Sequence, residues 1–368
     1  MKPPPTIPPD WDLGPDAPIL DDLAARLARE DGPSDEAGTW PDRLWAILEE
    51  AGATRWALPE RFGGIEVDRV RLISRYARVA EGSLTAAFIL TQHDAAIRRL
   101  VAGTSTPGSR AEEWLERIAA GEVFPTVGIS QLTTSRRHGA RAVVASESAA
   151  GLRLDGMIPW VTAAERADLF VTGGVFDDGR QMLVAVPRDR SGLIARPAFD
   201  LAALGASRTC EIACEALAIE PGDLLAGPSL DVMTTPGLAG TGGLETSSLA
   251  LGQARAALVA IAEESRHRDD LAEPLAALSA TWSRVASKLL AAAEGRGDAS
   301  PPGVIRGESN DLALRATQAF LTTRKGSGFL RSEPAQRWAR QALFFLVWSC
   351  PTPVAQAAIR DLAGLCDL

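Results

Sequence analysis

The chain has 368 residues, of which 46% are hydrophobic, and it carries a net charge of −9 with a pI near 5.1. This length is sufficient for two or three packed layers or domains. The acidic balance argues against a nucleic-acid-binding protein, because such a protein presents a basic face.

The sequence also lacks the marks of a membrane, secreted or metal-binding protein. It has no run of 18 apolar residues that predicts a transmembrane helix, and the segment 1–5 lacks the apolar core of a signal peptide. The four cysteines are scattered and form no set of metal ligands. We therefore expect a cytoplasmic protein with reduced thiols, no metal, no nucleic-acid partner and no membrane insertion.

The N-terminal third of the chain has a helical pattern. Residues 1–17 are rich in Pro and Asp and predict a flexible, extended arm. From 18 to 122, apolar residues recur at spacings of three and four, which predicts an N-terminal helical domain. The stretch 72–101 is Ala-rich and apolar on more than one face, so we predict one long buried helix there.

The period changes near residue 123. Short β-branched or alternating runs, separated by Gly, Asp and Pro, continue to residue 229 and predict a middle domain that is an antiparallel β-barrel or sandwich. From 230 to 368 the helical period returns and predicts a C-terminal helical bundle. The predicted fold class is therefore α+β, mostly α, in three domains after the arm.

The most informative stretch is 155–168, in which a strand ends at Trp160, Val161 and Thr162. Residues two apart in an extended strand point to the same face, so an indole plane and a hydroxyl donor are expected to meet one ligand. That pairing suits a flat heteroaromatic cofactor that needs both stacking and a hydrogen bond.

This stretch is similar to the flavin-contacting strand of the acyl-CoA dehydrogenase family. The order of helical, β and helical segments matches that family across nearly the whole chain. Four further segments resemble family motifs in the same order, namely the turn at 56–64, the segment 203–209, the helix start at 268–275 and the glycine turn at 325–329.

The resemblance implies that FAD binds between the β domain and the C-terminal helices. The backbone of Ile129 and the hydroxyl of Ser130 would bond the pyrimidine edge of the flavin. Trp160 would flank the ring system, and Thr162 would donate toward its N5 side. Ser135 lies where the family has a Gly-Ser turn at the diphosphate, and the loss of a glycine there removes room for close backbone approach.

The same resemblance implies an assembly and a substrate. Arg268 would reach the flavin diphosphate of a neighbouring subunit in a homodimer or homotetramer, although a surface arginine in a charged helix start is the alternative interpretation. The implied substrate is acyl-CoA or another acyl thioester.

The resemblance fails at the catalytic base. Acyl-CoA dehydrogenation needs a carboxylate to remove the proton alpha to the thioester, and Ser349 stands where the family has its usual C-terminal Glu. Some members place the base at the start of the helix that reads 245–264 here, which makes Glu245 the one candidate. The alternative is that Glu245 favours the dipole of its helix as a first-turn acid.

Three functions follow from these residues. The first is an FAD-dependent acyl-CoA dehydrogenase-like enzyme with Glu245 as its base. The second is a reduced-flavin-dependent monooxygenase on the same fold, which does not need the missing Glu. The third is a catalytically degenerate paralogue with a structural or partner role.

Overall fold

The structure is a computed structural model that describes residues 17–133, 141–149, 151–230, 232–234, 238 and 243–365. The predicted arm at 1–17 therefore lies outside the described residues except for Ala17. Five helices form the N-terminal part of the described chain. They are α1 (Ala17–Ala37), α2 (Asp42–Glu50), α3 (Arg69–Gly82), α4 (Leu84–Gly103) and α5 (Ala111–Ala119).

The single long helix predicted for 72–101 is two helices, α3 and α4, and that prediction was wrong. Ser83 is extended at φ −155° and its side chain accepts a hydrogen bond from the backbone N–H of Ala86, so it caps α4. Gly82 packs closely on α1, where an added Cβ would lie 2.5 Å from the carbonyl oxygen of Ala24. The apolar pattern runs on through this junction because both helices are buried, and so the pattern alone does not show the break.

The middle of the chain is one mixed sheet. The strands are β1 (Pro125–Val127), β2 (Val143–Ser148), β3 (Gly151–Val161), β4 (Leu169–Val175), β5 (Gln181–Pro187), β6 (Leu193–Ala195), β7 (Cys210–Ile219) and β8 (Leu224–Ser229). Their order in the sheet is β6-β7-β3-β2-β4-β5-β8, with β1 paired to β4. Most neighbours are antiparallel, while β1 and β2 each pair with β4 in parallel.

Strands β4 and β5 separate two apolar cores. All seven residues of β4 are buried, because alternate side chains enter different clusters. Phe170 joins the larger core, which runs through the helices, whereas Leu169 and Val171 join a second core with the end of α4 and with α5. A strand buried on both faces loses the alternating pattern of a half-exposed one.

The C-terminal part is helical, as predicted. No helix in the described part of the chain is both long and apolar enough to cross a membrane. The helices are α6 (Leu244–Ser265), α7 (Ala272–Ala293), α8 (Pro302–Arg324), α9 (Pro334–Ala342), α10 (Phe344–Val347) and α11 (Thr352–Leu362).

Helix α6 packs so closely on α3 that their backbones nearly touch at Gly252. A Cβ added to Gly252 would lie 2.1 Å from the carbonyl oxygen of Ala77 and 2.9 Å from the Cβ of Ala80. Only a residue without a side chain fits there. The contact fixes the rotation of α6 about its axis and thereby the direction in which its first turn points.

A buried ion pair joins the two ends of the chain. Asp31 of α1 accepts hydrogen bonds from Nε of Arg337 on α9 at 2.8 Å and from the hydroxyl of Ser83 at 2.7 Å. Arg340 reaches Asp35 one helical turn further along, at 2.6 Å. Burial raises the pKa of the Asp31 carboxyl and outweighs the opposing effect of Arg337, so this pair depends on its full set of partners.

We expect Gly252→Ala to destabilise the fold by about 1–3 kcal/mol, because the new methyl group forces α6 away from α3. Gly307→Ala is the matched control, since it lies within α8 with nothing within 4 Å of an added Cβ, and it should stabilise by up to about 1 kcal/mol. Urea unfolding of both variants checks the pair. Equal stability of Gly252→Ala and the parent chain would contradict the close contact.

Candidate active site

The structure leaves the indole of Trp160 half exposed at the end of β3. The pairing of β3 with β7 shifts register between Ile158 and Val161, and Trp160 has a left-handed φ of 58°. Its side chain is 49% exposed and its ring centroid lies 4.9 Å from that of Phe199. A bulge of this kind redirects a side chain out of the regular alternation, and here it presents an aromatic face to the outside of the sheet.

Thr162 points the other way. It is fully buried, and its hydroxyl lies 3.3 Å from that of Thr209, which in turn lies 2.9 Å from the hydroxyl of Ser207. The expectation that Trp160 and Thr162 share one face is therefore wrong, because Trp160 itself lies in the bulge and departs from the regular alternation of the strand. As the chain stands, Thr162 acts inside a row of three hydroxyls.

Ser130 and Ile129 lie beside the same strand. The Ser130 hydroxyl donates to the carbonyl oxygen of Pro159 at 3.2 Å. Because Pro159 directly precedes Trp160, Ser130 lies close to the exposed indole's strand end. Ile129 is buried at 2% exposure, so its side chain belongs to the core and its backbone is what a ligand would meet. Ser135 lies outside the described residues.

A cleft of about 940 Å³ opens where the β domain meets the C-terminal helices. Phe199, the neighbour of Trp160, lines it from the sheet side together with Arg208, and Phe329 and Arg340 line it from the helical side. This volume is in the range of small-molecule and cofactor sites. The exposed indole and the adjacent cleft fit a flat aromatic cofactor such as a flavin, whereas the hydroxyl of Thr162 is not presented to it.

Arg268 lies beside the glycine turn at 325–329. Its guanidinium donates to both carboxylate oxygens of Asp270 and, at 3.1 Å, to the carbonyl oxygen of Thr323 near the end of α8. Lys325 stands first in that turn and has φ 52° and ψ −143°, a conformation that glycine favours. The backbone of the turn thus keeps a glycine-like form with Lys in place of Gly.

Ser349 follows α10 at a left-handed φ of 41°. The fully buried Arg306 donates from Nη2 to the carbonyl oxygen of Trp348 at 2.8 Å, and Asn310 donates to that of Phe345. Burial lowers the pKa of Arg306 to about 10, so the group that holds this segment is a cation. No carboxylate is supplied at position 349 itself.

Glu245 sits in the first turn of α6 between two arginines. Its carboxylate lies 3.5 Å from Nη1 of Arg69 and 3.7 Å from Nη2 of Arg98, and the side chain is 20% exposed. Burial raises the pKa of the Glu245 carboxyl, but Arg98 and Arg69 outweigh burial and hold it below the ordinary value of 4.5. The carboxylate is therefore ionised but weakly basic in this state, which works against proton abstraction.

A chain of buried polar groups continues from Glu245 across α3 and α4. Nη1 of Arg98 donates to the phenol oxygen of Tyr76 at 3.3 Å, and the phenol donates to Asp94 at 2.6 Å. The Nδ1 atom of His93 lies 2.9 Å from the other oxygen of Asp94. Burial and the charge of Asp94 raise the pKa of the Tyr76 phenol well above its ordinary value, so the phenol stays protonated and keeps donating.

Sequence reasoning missed Arg98 and Arg99, although a signal was present. Two consecutive arginines interrupt an apolar helix that was predicted to be buried on more than one face. Arg99 is only 2% exposed, and long charged side chains are seldom fully buried without a partner. We name the group of Arg69, Asp94, Arg98, Arg99 and Glu245 the arginine–carboxylate cluster.

Comparisons with known proteins agree on the fold. No family model matches the chain. It is 21% identical over 329 residues to a probable acyl-CoA dehydrogenase, YngJ, of Bacillus subtilis, which covers 84% of this chain and 86% of the relative.

Two solved structures are similar over almost the full length. A glutaryl-CoA dehydrogenase from Mycobacterium smegmatis in complex with FADH2 has a TM-score of 0.80 at 18% identity, covering 97% of this chain and 95% of that one. The dibenzothiophene monooxygenase TdsC from Paenibacillus sp. A11-2 has a TM-score of 0.72 at 16% identity, covering 94% and 95%. The chain thus has the fold of the acyl-CoA dehydrogenases and is similar in sequence to members of that family at 21% identity, which agrees with the resemblance found in the sequence.

We expect Glu245→Gln to lower the free energy of unfolding by about 2–3 kcal/mol at neutral pH, because it leaves arginines without their counter-charge. The folded-state pKa of Glu245 lies below the ordinary 4.5. Its contribution is therefore present above 4.5 and is lost as the pH falls through the folded-state value.

The check is urea unfolding of both proteins across the acid range. The stability difference should be constant above pH 4.5 and shrink below it. A difference that does not change with pH would mean that the substitution acts through packing rather than charge.

Proposed function

We propose that this protein is an FAD-dependent oxidoreductase that dehydrogenates an acyl thioester between its alpha and beta carbons. The observation that carries the proposal is the full-length likeness to acyl-CoA dehydrogenases in sequence and fold, together with a half-exposed Trp160 at the strand end that contacts flavin in that family. Bound FAD would supply an acceptor for the hydrogen and electron pair that leave the beta carbon.

The residues of this chain would hold the cofactor from one side. Trp160 offers its indole face for stacking, and Ser130 lies next to it through the carbonyl of Pro159. Thr162 supports the same strand end from inside, through its contact with Thr209. The side chain of Ile129 keeps the backbone at that point fixed in the core.

Glu245 remains the proposed base for the alpha proton, and its arginine neighbours set the condition under which it works. Arg69 and Arg98 stabilise the charged carboxylate, so its proton affinity rises when one of these guanidinium groups turns to another anion. Ser349 has no adjacent base among the described residues that would let its hydroxyl do the same work.

We further propose a homo-oligomer in which Arg268 reaches the cofactor of a neighbouring subunit. Apolar side chains stand exposed on the C-terminal helices and the glycine turn, and a second copy of the chain would cover them. Exposed at 67–78% are Phe329, Val347, Ile359 and Leu362.

A reduced-flavin-dependent monooxygenase is the second candidate. It is favoured by two observations: position 349 carries a hydroxyl, and the pKa of Glu245 is lowered. The monooxygenase TdsC has the same fold, so the fold alone does not separate the two chemistries.

The first test is the visible spectrum of the purified chain with added FAD. We expect bands at ~370 and ~450 nm that persist after desalting, as for any bound oxidised flavin. Trp160→Ala should weaken FAD binding about 10-fold, since an aromatic contact is worth about 1.5 kcal/mol, while Trp160→Phe should retain most of it. Absence of the bands in the parent chain would contradict the dehydrogenase, which needs oxidised FAD bound as its acceptor.

Anaerobic addition of an acyl-CoA then separates the two enzymes. For the dehydrogenase we expect acyl-CoA to bleach the flavin band of the parent protein and to leave the band of Glu245→Gln unbleached. A flavin that acyl-CoA does not bleach, but that consumes oxygen once it is reduced by an external donor, would favour the monooxygenase. Sedimentation of the protein as a monomer would contradict the proposed assembly.

A further inference from the structure

Arg99 is a buried cation with one edge unused. Its Nη1 donates to the carbonyl oxygen of Ala95 in its own helix at 2.8 Å. Its Nε and Nη2 are buried and have no hydrogen-bond partner among the residues that the structure describes. These two N–H groups form one planar edge of the guanidinium, and that edge is the one that holds a carboxylate through two parallel hydrogen bonds.

The arginine–carboxylate cluster also lacks one negative charge. It contains three arginines, Arg69, Arg98 and Arg99, against two carboxylates. Glu245 is shared by Arg69 and Arg98, and Asp94 accepts from Tyr76 and lies beside His93. Two carboxylates balance two of the three arginines, and the one without a hydrogen bond or ion pair to either carboxylate is Arg99.

Burial and the neighbouring charge of Arg98 lower the pKa of Arg99 to about 9. The guanidinium therefore still carries its charge at neutral pH inside the protein. The charge of Glu245 acts on it from a distance, but no carboxylate among the described residues forms a hydrogen bond or a close ion pair with it. Leaving a buried charge unpaired is costly to the fold. Such an arrangement is typical of a group that is completed by a ligand.

We propose that Arg99 binds a carboxylate carried at the far end of the substrate's acyl group, so that the preferred substrates are thioesters of dicarboxylic acids. This inference rests on the proposed function. A carboxylate matches the planar Nε–Nη2 edge in both geometry and charge, whereas the nucleotide phosphates of a coenzyme are bulky and strongly hydrated. Arg98 lies next to Arg99 in the chain and 3.7 Å from Glu245, which places this recognition group beside the proposed base.

The test compares acids with their own methyl esters, which differ in charge but little in length. Succinyl-, glutaryl- and adipyl-CoA and the corresponding monomethyl esters are titrated calorimetrically into the FAD-loaded protein. At least one acid should bind about 10- to 100-fold more tightly than its ester, the range for hydrogen bonds to a charged group. Equal binding of acid and ester throughout the series would overturn the proposal.

Variants at position 99 assign the effect to this residue. Arg99→Met should abolish the preference for the acid, and Arg99→Lys, which keeps the charge but loses the planar edge, should retain only part of it. Arg99→Met should also raise the melting temperature of the ligand-free protein, because it removes the unpaired charge. Arg315→Met, an exposed arginine paired with Asp311 on α8, is the control and should change neither property.

The two proposals fail in different ways. If esters bleach the flavin as well as acids do and bind equally, the dehydrogenase proposal stands and the role of Arg99 is wrong. If acids bind more tightly than esters, and Arg99→Met abolishes this, but no thioester bleaches the flavin, Arg99 recognises the carboxylate and the dehydrogenase proposal is wrong. A parent-like preference in Arg99→Met overturns the role of Arg99 whatever the flavin does.

Discussion

The contact between Gly252 and the backbone of α3 is the constraint on which the rest of the helical structure depends. It lets α6 come close enough to α3 to be buried along most of its length, with 15 of its 22 residues in the interior. Glu245 lies seven residues earlier, two helical turns away on about the same face. The approach that closes the core therefore also directs the first turn of α6 toward Tyr76 and Arg69 on α3. The packing of α6 on α3 and the position of Glu245 among its arginines therefore both depend on Gly252.

In the arginine–carboxylate cluster, the arginine proposed to recognise the substrate is also one that destabilises the ligand-free fold. A fully balanced set of charges would stabilise the fold and leave nothing for a ligand to complete. Here Glu245 holds two arginines while Arg99 keeps an edge without a partner. The unpaired charge of Arg99 destabilises the ligand-free fold, and an anion that pairs with it would remove that cost and so stabilise the folded state. It would also change the electrostatic surroundings of Glu245, which couples recognition of the substrate to the basicity of the group proposed to act on it.

The sequence was sufficient for the order of the segments and for the fold, because helical periods, short strands and spaced motifs are local signals that survive at low identity. It was insufficient where a single backbone conformation decides the outcome. The left-handed φ of Trp160 directs its indole outward and leaves Thr162 inside. The alternation rule for strands does not predict where such a backbone conformation occurs. The junction of α3 and α4 at Ser83 was hidden because burial keeps both helices apolar. Arg99 was visible as a charge in an apolar helix, but its unused edge depends on which groups other elements bring near, and only the tertiary structure shows that.

The ion pair between Asp31 and Arg337 has a consequence for how the protein is made. Its partners are 306 residues apart in the chain, so a ribosome that has finished α1 still has most of the protein to synthesise before the counter-charge of Asp31 exists. During most of translation the Asp31 carboxyl therefore has the Ser83 hydroxyl but not Arg337 as a partner, and burying it in that state is costly. The contact of α9 with α1 can form only after almost the whole chain has been made. A chain released before residue 337 would lack the guanidinium that pairs with Asp31.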